Sequence, residues 1–372
     1  MPALRTSLLV LYALVALSAK LPAQNRTTIG GYGEIHYTNP SGPNTPAEVN
    51  VKRFVVFLGH SFSDRLAFRS ELEVEDAKIS GGTPGGEVSL EQLYIDYRLG
   101  AGATLRTGLV LVPIGIINEI HEPPTFNGVD RPAFDHDVIP TTWREIGVGA
   151  QGTLPWPGLS YKAYVVSGLV AANFGGAEGV REGRQEGRQA TFANPSITGR
   201  LEYARPGLRV GASFWHGGTT AGDTLLPEGS FAAPLTVVAA DARWDHGPFA
   251  VRAEAANLTL GQAAAINARY GTDVGSRIAG GYVEGAVNVL QFLARGTAQR
   301  LNLFARHERY DTHARVPSGT ARNGAYDRRV TTIGLSWLPV TEVAFKADYA
   351  FRRNRGANGE DEVLSLGVGY RF

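Results

Sequence analysis

The most constraining feature of this chain is a period of two that returns in segment after segment. In the last segment Leu364, Leu366, Val368, Tyr370 and Phe372 alternate with Ser365, Gly367, Gly369 and Arg371. The one before it sets Val343, Phe345, Ala347, Tyr349 and Phe351 against Glu342, Lys346, Asp348 and Arg352. Such alternation gives a strand one apolar and one polar face, and here the polar face is charged and glycine-rich. On this pattern strands run near 29–38, 50–62, 66–76, 87–98, 103–112, 144–153, 159–168 and 195–204. They continue near 207–216, 236–245, 249–259, 278–291, 299–311, 328–338, 341–352 and 362–372.

The joins say what these strands build. Ser63-Asp64-Arg65, Gly100-Ala101-Gly102, Pro155–Gly158, Arg205-Pro206-Gly207, Asp245–Pro248 and Pro339-Val340 are tight turns of Gly, Pro and Asp. The intervening joins, 39–49, 77–86, 113–143, 169–194, 217–235, 260–277, 312–327 and 353–361, are long and polar. A water-soluble sandwich has no such asymmetry between its ends. Short turns at one rim, long loops at the other and about 16 strands describe an all-β fold, a transmembrane antiparallel β-barrel of the outer membrane. A closed barrel pairs every backbone group internally, as lipid requires. Tyr97, Trp143, Tyr161, Tyr203, Trp244, Trp337 and Tyr370 near strand ends suit the two interfacial girdles. Two registers stay open: Val55 and Phe57 compete with Phe54, Val56 and Leu58 for the lipid face, and Arg306 and His307 sit beside Phe304 and Ala305.

The ends of the chain agree with export. Arg5, the apolar run Ser7–Leu17 and small residues to Ala23 describe a signal peptide over 1–23, which leaves 24–372 as the barrel. With Cys 0, neither a lipidated cysteine nor a disulfide is available. No later window approaches the eighteen or so consecutive apolar residues of a transmembrane helix. A formal net charge of +1 argues against a nucleic-acid partner.

The join from Val112 to Arg144 stands apart. It holds five prolines with Phe126, Phe134, Trp143 and many Ile and Val, an apolar content that a free surface segment does not carry. As the third external loop it is expected to fold into the lumen. Its Glu119, Glu122, Asp130, Arg131, Asp135 and Asp137 would then form a constriction facing wall bases. On the alternation, Arg69, Arg98, Arg106, Arg200, Arg209, Arg243 and Arg252 point inward as that wall, with Lys52, Lys162, Lys346 and Arg352. Glu34, Glu71, Glu73, Glu75, Asp96, Glu202, Asp241, Glu254, Glu284 and Asp348 point inward too. Charges lining water cost little, whereas Arg or Lys facing mid-membrane lipid costs about 2–4 kcal/mol. The plainer reading is that these charges only solvate the lumen and pair across strands.

Other chemistry has thinner support. His121-Glu122 and Asp135-His136-Asp137 offer imidazole and carboxylate to a metal, but without a fixed ligand spacing. Ser167 or Ser213 with His216 and Asp223 makes no recognisable catalytic motif, and neither an enzyme nor a cofactor is indicated. The run Arg181–Arg188 reads as a solvated mobile loop; the alternative is that its arginines hold lipopolysaccharide phosphates or draw anions to the mouth. Gln262–Arg269, rich in Ala, suits a short helix.

Gly31–Glu34, Phe62–Arg65, Gln92–Arg98, Val112–Gly115 and the terminal Tyr370-Arg371-Phe372 resemble the phosphate-selective porin O and P family of Gram-negative outer membranes. The resemblance implies a sixteen-stranded, trimeric channel narrowed by its third loop, handed to the barrel assembly machinery by its final aromatic, Phe372. It also implies an arginine ladder and a lysine cluster for phosphate. This chain departs from the latter, since five of its 36 Lys+Arg are lysines. The expected function is a passive diffusion channel for small hydrophilic solutes or ions, set in outer-membrane lipid and lipopolysaccharide, with the sign of its selectivity open. The alternative is a plugged barrel acting as a structural or adhesive surface protein.

Overall fold

The computed structural model describes residues 26–42, 45–77, 86–100, 102–221, 232–294, 296–356 and 360–372. The expected signal peptide and Asp223 lie outside these residues. The strands are β1 (Arg26–Pro40), β2 (Glu48–Ser61), β3 (Leu66–Glu75), β4 (Val88–Arg98), β5 (Ala103–Leu111), β6 (Arg144–Thr153), β7 (Leu159–Val166) and β8 (Ser196–Arg205). The second half adds β9 (Leu208–Gly217), β10 (Leu235–His246), β11 (Phe249–Leu260), β12 (Arg277–Asn288), β13 (Arg300–Arg315), β14 (Asp327–Val340), β15 (Val343–Asn354) and β16 (Glu360–Arg371). Each pairs with its sequence neighbours, and β1 pairs antiparallel with β16, so the sheet closes. The all-β, sixteen-stranded transmembrane barrel expected from the alternation is the fold observed. It belongs in an outer membrane.

The faces follow the alternation. On β16 Leu364 and Leu366 are exposed on the outside while Ser365 is buried within. The two open registers resolve on local grounds. A bulge opposite Glu34/Ile35 in the β1–β2 ladder shifts the phase, so Lys52 and Arg53 line the same cavity. Beyond it Arg53 and Val55 are buried, while Phe54 and Leu58 are exposed on the lipid face. On β13 Phe304 and Arg306 are buried, and His307 faces out, bonded to Thr331 across the strands.

Exposed aromatics crowd the short-turn rim: Phe62, Tyr97, Trp156, Tyr203, Trp244, Phe249, Trp337 and Phe345. Trp143 does not join a girdle. It is fully buried inside the barrel, its ring 5.5 Å from that of Trp215. The expected strand 278–291 also ends early, at Asn288, because Leu290–Leu293 turn into a short helix at the turn rim. The helix expected in the sixth loop is present over Ala263–Tyr270.

The apolar core sits in the lumen. Val112, Ile114, Phe134, Val138, Ile139 and Trp143 of the third loop pack with Leu169, Phe174 and Val180 of the fourth and Ile266 of the sixth. Wall residues from Val110 on β5 to Ala350 on β15 complete it. Each such side chain contributes about 1.5–3 kcal/mol by leaving water, which draws the loops inward.

The β1–β16 seam pairs Tyr32–Pro40 with Val363–Arg371, and Phe372 extends it by one rung. Phe372 exchanges backbone hydrogen bonds with Gly31, at 2.9 and 3.0 Å, and its ring lies 6.5 Å from that of Phe54. A Cβ at Gly31 would meet the Phe372 ring at 3.0 Å, and one at Gly33 the Tyr370 hydroxyl at 2.6 Å, so glycine alternation on β1 seats both rings. Deleting Phe372 is expected to leave exported but unassembled protein. Gel mobility with and without heating checks this; normal heat-modifiable barrel in the deletion strain would refute it.

Candidate functional site

A loop inside a barrel has lost both water and ladder partners for its amides, so each needs a new acceptor. The neck of the third loop is closed first. Val112 N–H donates to the Trp143 carbonyl at 2.9 Å, extending the β5–β6 ladder by one rung. The Asn118 side chain then donates to the carbonyls of Val112 (2.7 Å) and Trp143 (3.0 Å) and accepts from Trp143 N–H at 2.6 Å.

Beyond the neck, wall carboxylates take over. Glu254 accepts from Ile116 N–H (3.0 Å), Asp348 from Val129 N–H (2.6 Å) and Glu308 from Phe134 N–H (2.9 Å). Glu284 accepts from the Asn127 amide at 2.8 Å. Loop carbonyls are met by wall bases: Arg252 donates to Thr125 O (2.8 Å) and Lys346 to Gly128 O (2.7 Å), with the ammonium 3.7 Å from the Phe126 ring centre. Arg306 bridges Glu308 (2.8 Å) and Glu284 (3.4 Å), so the buried acids are compensated in turn. The plainer reading had the wall acids solvating the lumen and pairing across strands; Glu254, Asp348 and Glu308 also cap loop amides.

The loop's own charges fall on different sides. Glu119 pairs with Lys162 at 2.5 Å, Asp137 with Arg328 at 2.5 Å, and Asp130 lies 3.4 Å from His36. Arg131 donates to the His121 carbonyl at 3.2 Å. Glu122 keeps one buried oxygen without a hydrogen-bond partner, and Asp135 both of its own. His136 turns outward onto Asp137 at 2.7 Å while Asp135 is buried, so these three adjacent residues do not converge on a cation. Burial pushes Asp137 upward, but the His136 hydrogen bond and Arg328 outweigh it and hold the carboxyl below its usual range. Burial, with Glu254 and Glu308 alongside, pushes Asp135 well above that range.

Of the expected wall arginines, Arg106, Arg200, Arg209 and Arg243 line one cavity of about 370 Å³ on the turn side of the loop, with Lys162, Glu119 and Glu202. Arg106 forks onto Asp96 at 2.8 and 2.9 Å and stacks on Tyr94; Arg200 forks onto Asp241 at 2.6 and 2.9 Å. Arg243 and Arg209 lean on Glu202 at 3.2 and 3.8 Å. Arg69 and Arg98 sit lower, lining the turn-side mouth with Arg26 and Arg65. The expectation that Arg69 faces the loop acids is therefore not met: its register is inward, but it stands nearer the turn rim. On the loop side a second cavity, about 760 Å³, is lined by seven acids and seven Lys or Arg, among them Arg53, Asp130, Asp137 and Arg328.

The run Arg181–Arg188 is the clearest correction. Arg181 donates to the carbonyls of Thr141 (2.6 Å) and His136 (3.3 Å), and Arg184 to those of Pro140 (3.1 Å) and Thr142 (3.0 Å). A guanidinium fork satisfies two carbonyls at once, so this segment is strapped over the third loop rather than loose in solvent. The serines do not assemble a triad either. Ser167 bonds Glu145 at 2.5 Å, Ser213 faces inward to Arg200, and His216 faces outward to Thr236.

No family model matches the chain. It is 36% identical over 364 residues to an uncharacterized protein of Aquifex aeolicus (strain VF5), covering 96% of this chain and 82% of that one. Among solved structures it is similar to OmpF of Salmonella typhi in complex with daunomycin (TM-score 0.61, 12% identity, 94% of this chain and 98% of that chain). The outer membrane channel DcaP of Acinetobacter baumannii gives TM-score 0.60 at 12% identity, over 94% and 97%. The trimer form of OmpT of Vibrio cholerae gives 0.56 at 10%, over 94% and 99%. At these identities the likeness is one of fold.

Two outcomes are expected from this geometry. Replacing Arg181 and Arg184 together by Ala removes charge-assisted bonds worth about 1.5–3 kcal/mol each. The barrel should stay heat-modifiable while chymotrypsin gains access to Phe134 of the third loop; unchanged digestion would count against the strap. Asp135→Asn should remove a pH dependence. An acid raised in the folded state is at full stability below its unfolded value of ~3.9 and loses stability as pH climbs towards the folded value. Melting midpoints in detergent between about pH 4 and 8 should therefore fall less steeply for the variant than for the parent.

Proposed function

This chain belongs to the family of the Aquifex aeolicus protein, and we propose that it is an outer-membrane porin, a passive diffusion channel for small hydrophilic solutes that favours anions. The observation that carries the reading is the turn-side cavity, which is lined by Arg106, Lys162, Arg200, Arg209 and Arg243 against Glu119 and Glu202, with Asp96 and Asp241 bound to Arg106 and Arg200 from behind the lining. Fixed guanidinium forks suit oxyanions such as phosphate, and an excess of one charge in a narrow passage selects which ions enter. The loop-side cavity is balanced, so the preference is modest and set on the turn side. A homotrimer fits the reading, as does contact of the loop rim with lipopolysaccharide and delivery through Phe372 to the assembly machinery.

A second reading is favoured by the reach of the third loop. Between Ile116 and Asp137 it bonds to β1, β7, β11, β12, β14 and β15, and its Pro123–Thr125 turn packs on β16. A loop tied this widely can plug the barrel and leave it a structural protein.

Current through a planar bilayer separates the two. The channel reading expects ohmic steps with a reversal potential on the anion side in a KCl gradient. Arg209→Gln with Arg243→Gln, which leaves the loop contacts intact, should move that potential towards cations. Shortening Glu119–Asp137 should raise conductance. A folded barrel that carries no current before shortening supports the plug instead.

A further inference from the structure

His121 of the third loop is buried against the wall beside two carboxylates. It is 3% exposed, against Glu71 of β3 at 2% and Glu91 of β4 at 0%. Its Nδ1 lies 3.1 Å from the carbonyl oxygen of Asn118. A carbonyl only accepts, so Nδ1 carries a proton and Nε2 is the atom presented to the wall. Nε2 lies 3.5 Å from Glu71 Oε1 and 3.3 Å from Glu91 Oε2. Neither approach has hydrogen-bond geometry: His121 Nε2 and Glu71 Oε1 are both buried without a hydrogen-bond partner.

The remaining atoms of both carboxylates are held in place. Gln92 donates to Glu71 Oε2 at 2.5 Å and Thr142 to Glu91 Oε1 at 2.6 Å, while the Tyr32 hydroxyl donates at 3.3 Å to Glu91 Oε2, the oxygen that faces the imidazole. This leaves one nitrogen and two oxygens, all within 4.8 Å of one another, converging from two strands and a loop. Donors bound at about 2.0–2.2 Å around a tetrahedral cation stand about 3.4 Å apart, which is the spacing of Nε2 from each carboxylate. A carbonyl fixing the far nitrogen of the imidazole, and hydrogen bonds fixing the far oxygens, are the outer supports that metal ligands ordinarily have.

We propose that Glu71, Glu91 and His121 form a binding site for one divalent first-row cation, of the zinc or manganese kind, that fastens the third loop to the barrel wall. One imidazole and two carboxylates suit such an ion and disfavour soft monovalent copper. Two carboxylates also balance its charge in a place where an uncompensated ion would be costly. Of the two stretches whose composition suggested metal binding, only His121 takes part, and its co-ligands come from strands upstream.

The competing arrangement is an imidazolium held between the two carboxylates with no metal. The full mature barrel, without a histidine tag, would be refolded with Zn²⁺ or Mn²⁺ and freed of excess ion. Its metal content is then read by elemental analysis and its melting midpoint with and without chelator. One ion per barrel and a midpoint lowered by chelator are expected. His121→Ala and Glu91→Gln should retain no ion, and Thr142→Val, which touches only an outer support, should bind about 10–100-fold more weakly. If His121→Ala does not fold, Glu71→Gln serves in its place. Metal-free parent barrel with an unaltered midpoint, or equal metal in parent and variants, would overturn the site.

Discussion

The structure depends on one interaction more than any other: a wall carboxylate accepting a backbone N–H from the chain inside. Strands satisfy their own amides by closing into a barrel, but the third loop cannot. Glu254, Asp348 and Glu308 meet the amides of Ile116, Val129 and Phe134, and Asn118 ties the neck. An unmet buried donor costs about 1–3 kcal/mol, so these acids are what allow irregular backbone at membrane depth. Arg306 and Lys346, set between them, keep the acids from repelling one another.

That arrangement divides the lumen. The apolar side chains of the third, fourth and sixth loops pack mainly on β7 to β13, with Val110 of β5, Val330 of β14 and Ala350 of β15 at the margins. The charged cavities lie at other heights, one above the loop and one below it. The charged walls stay open to the cavities, and the apolar cluster anchors the loop against them. The fourth loop locks this geometry through Arg181 and Arg184.

What the sequence made legible was whatever repeats. A period of two placed all sixteen strands, and join length assigned the rims, because both signals are local and many times repeated. The inward fold of the Val112–Arg144 segment was legible too, since Phe126, Phe134 and Trp143 have no reason to face water. Pairings within the lumen were not. Whether Arg69 or Lys162 meets the loop depends on height along the barrel axis, and alternation reports only the face. The Arg181–Arg188 run was misread because low complexity resembles solvated chain, while its partners are carbonyls some forty residues upstream. Trp143 was taken for a girdle residue since a strand end near the rim looks the same from either side of the wall.

The two inward glycines of the last strand carry a further consequence. A Cβ on Gly367 would meet Val129 at 2.9 Å, and one on Gly369 would run into Pro123. The loop's resting place is thus partly cut into β16, the strand made last and the one that joins β1 to close the barrel. Until that seam is formed the seat is incomplete, although the loop itself left the ribosome some two hundred residues earlier. The anchors on β11 to β15 exist without that seam, but the hollows that take Val129 and Pro123 do not, so the loop reaches its full depth only in a barrel already shut.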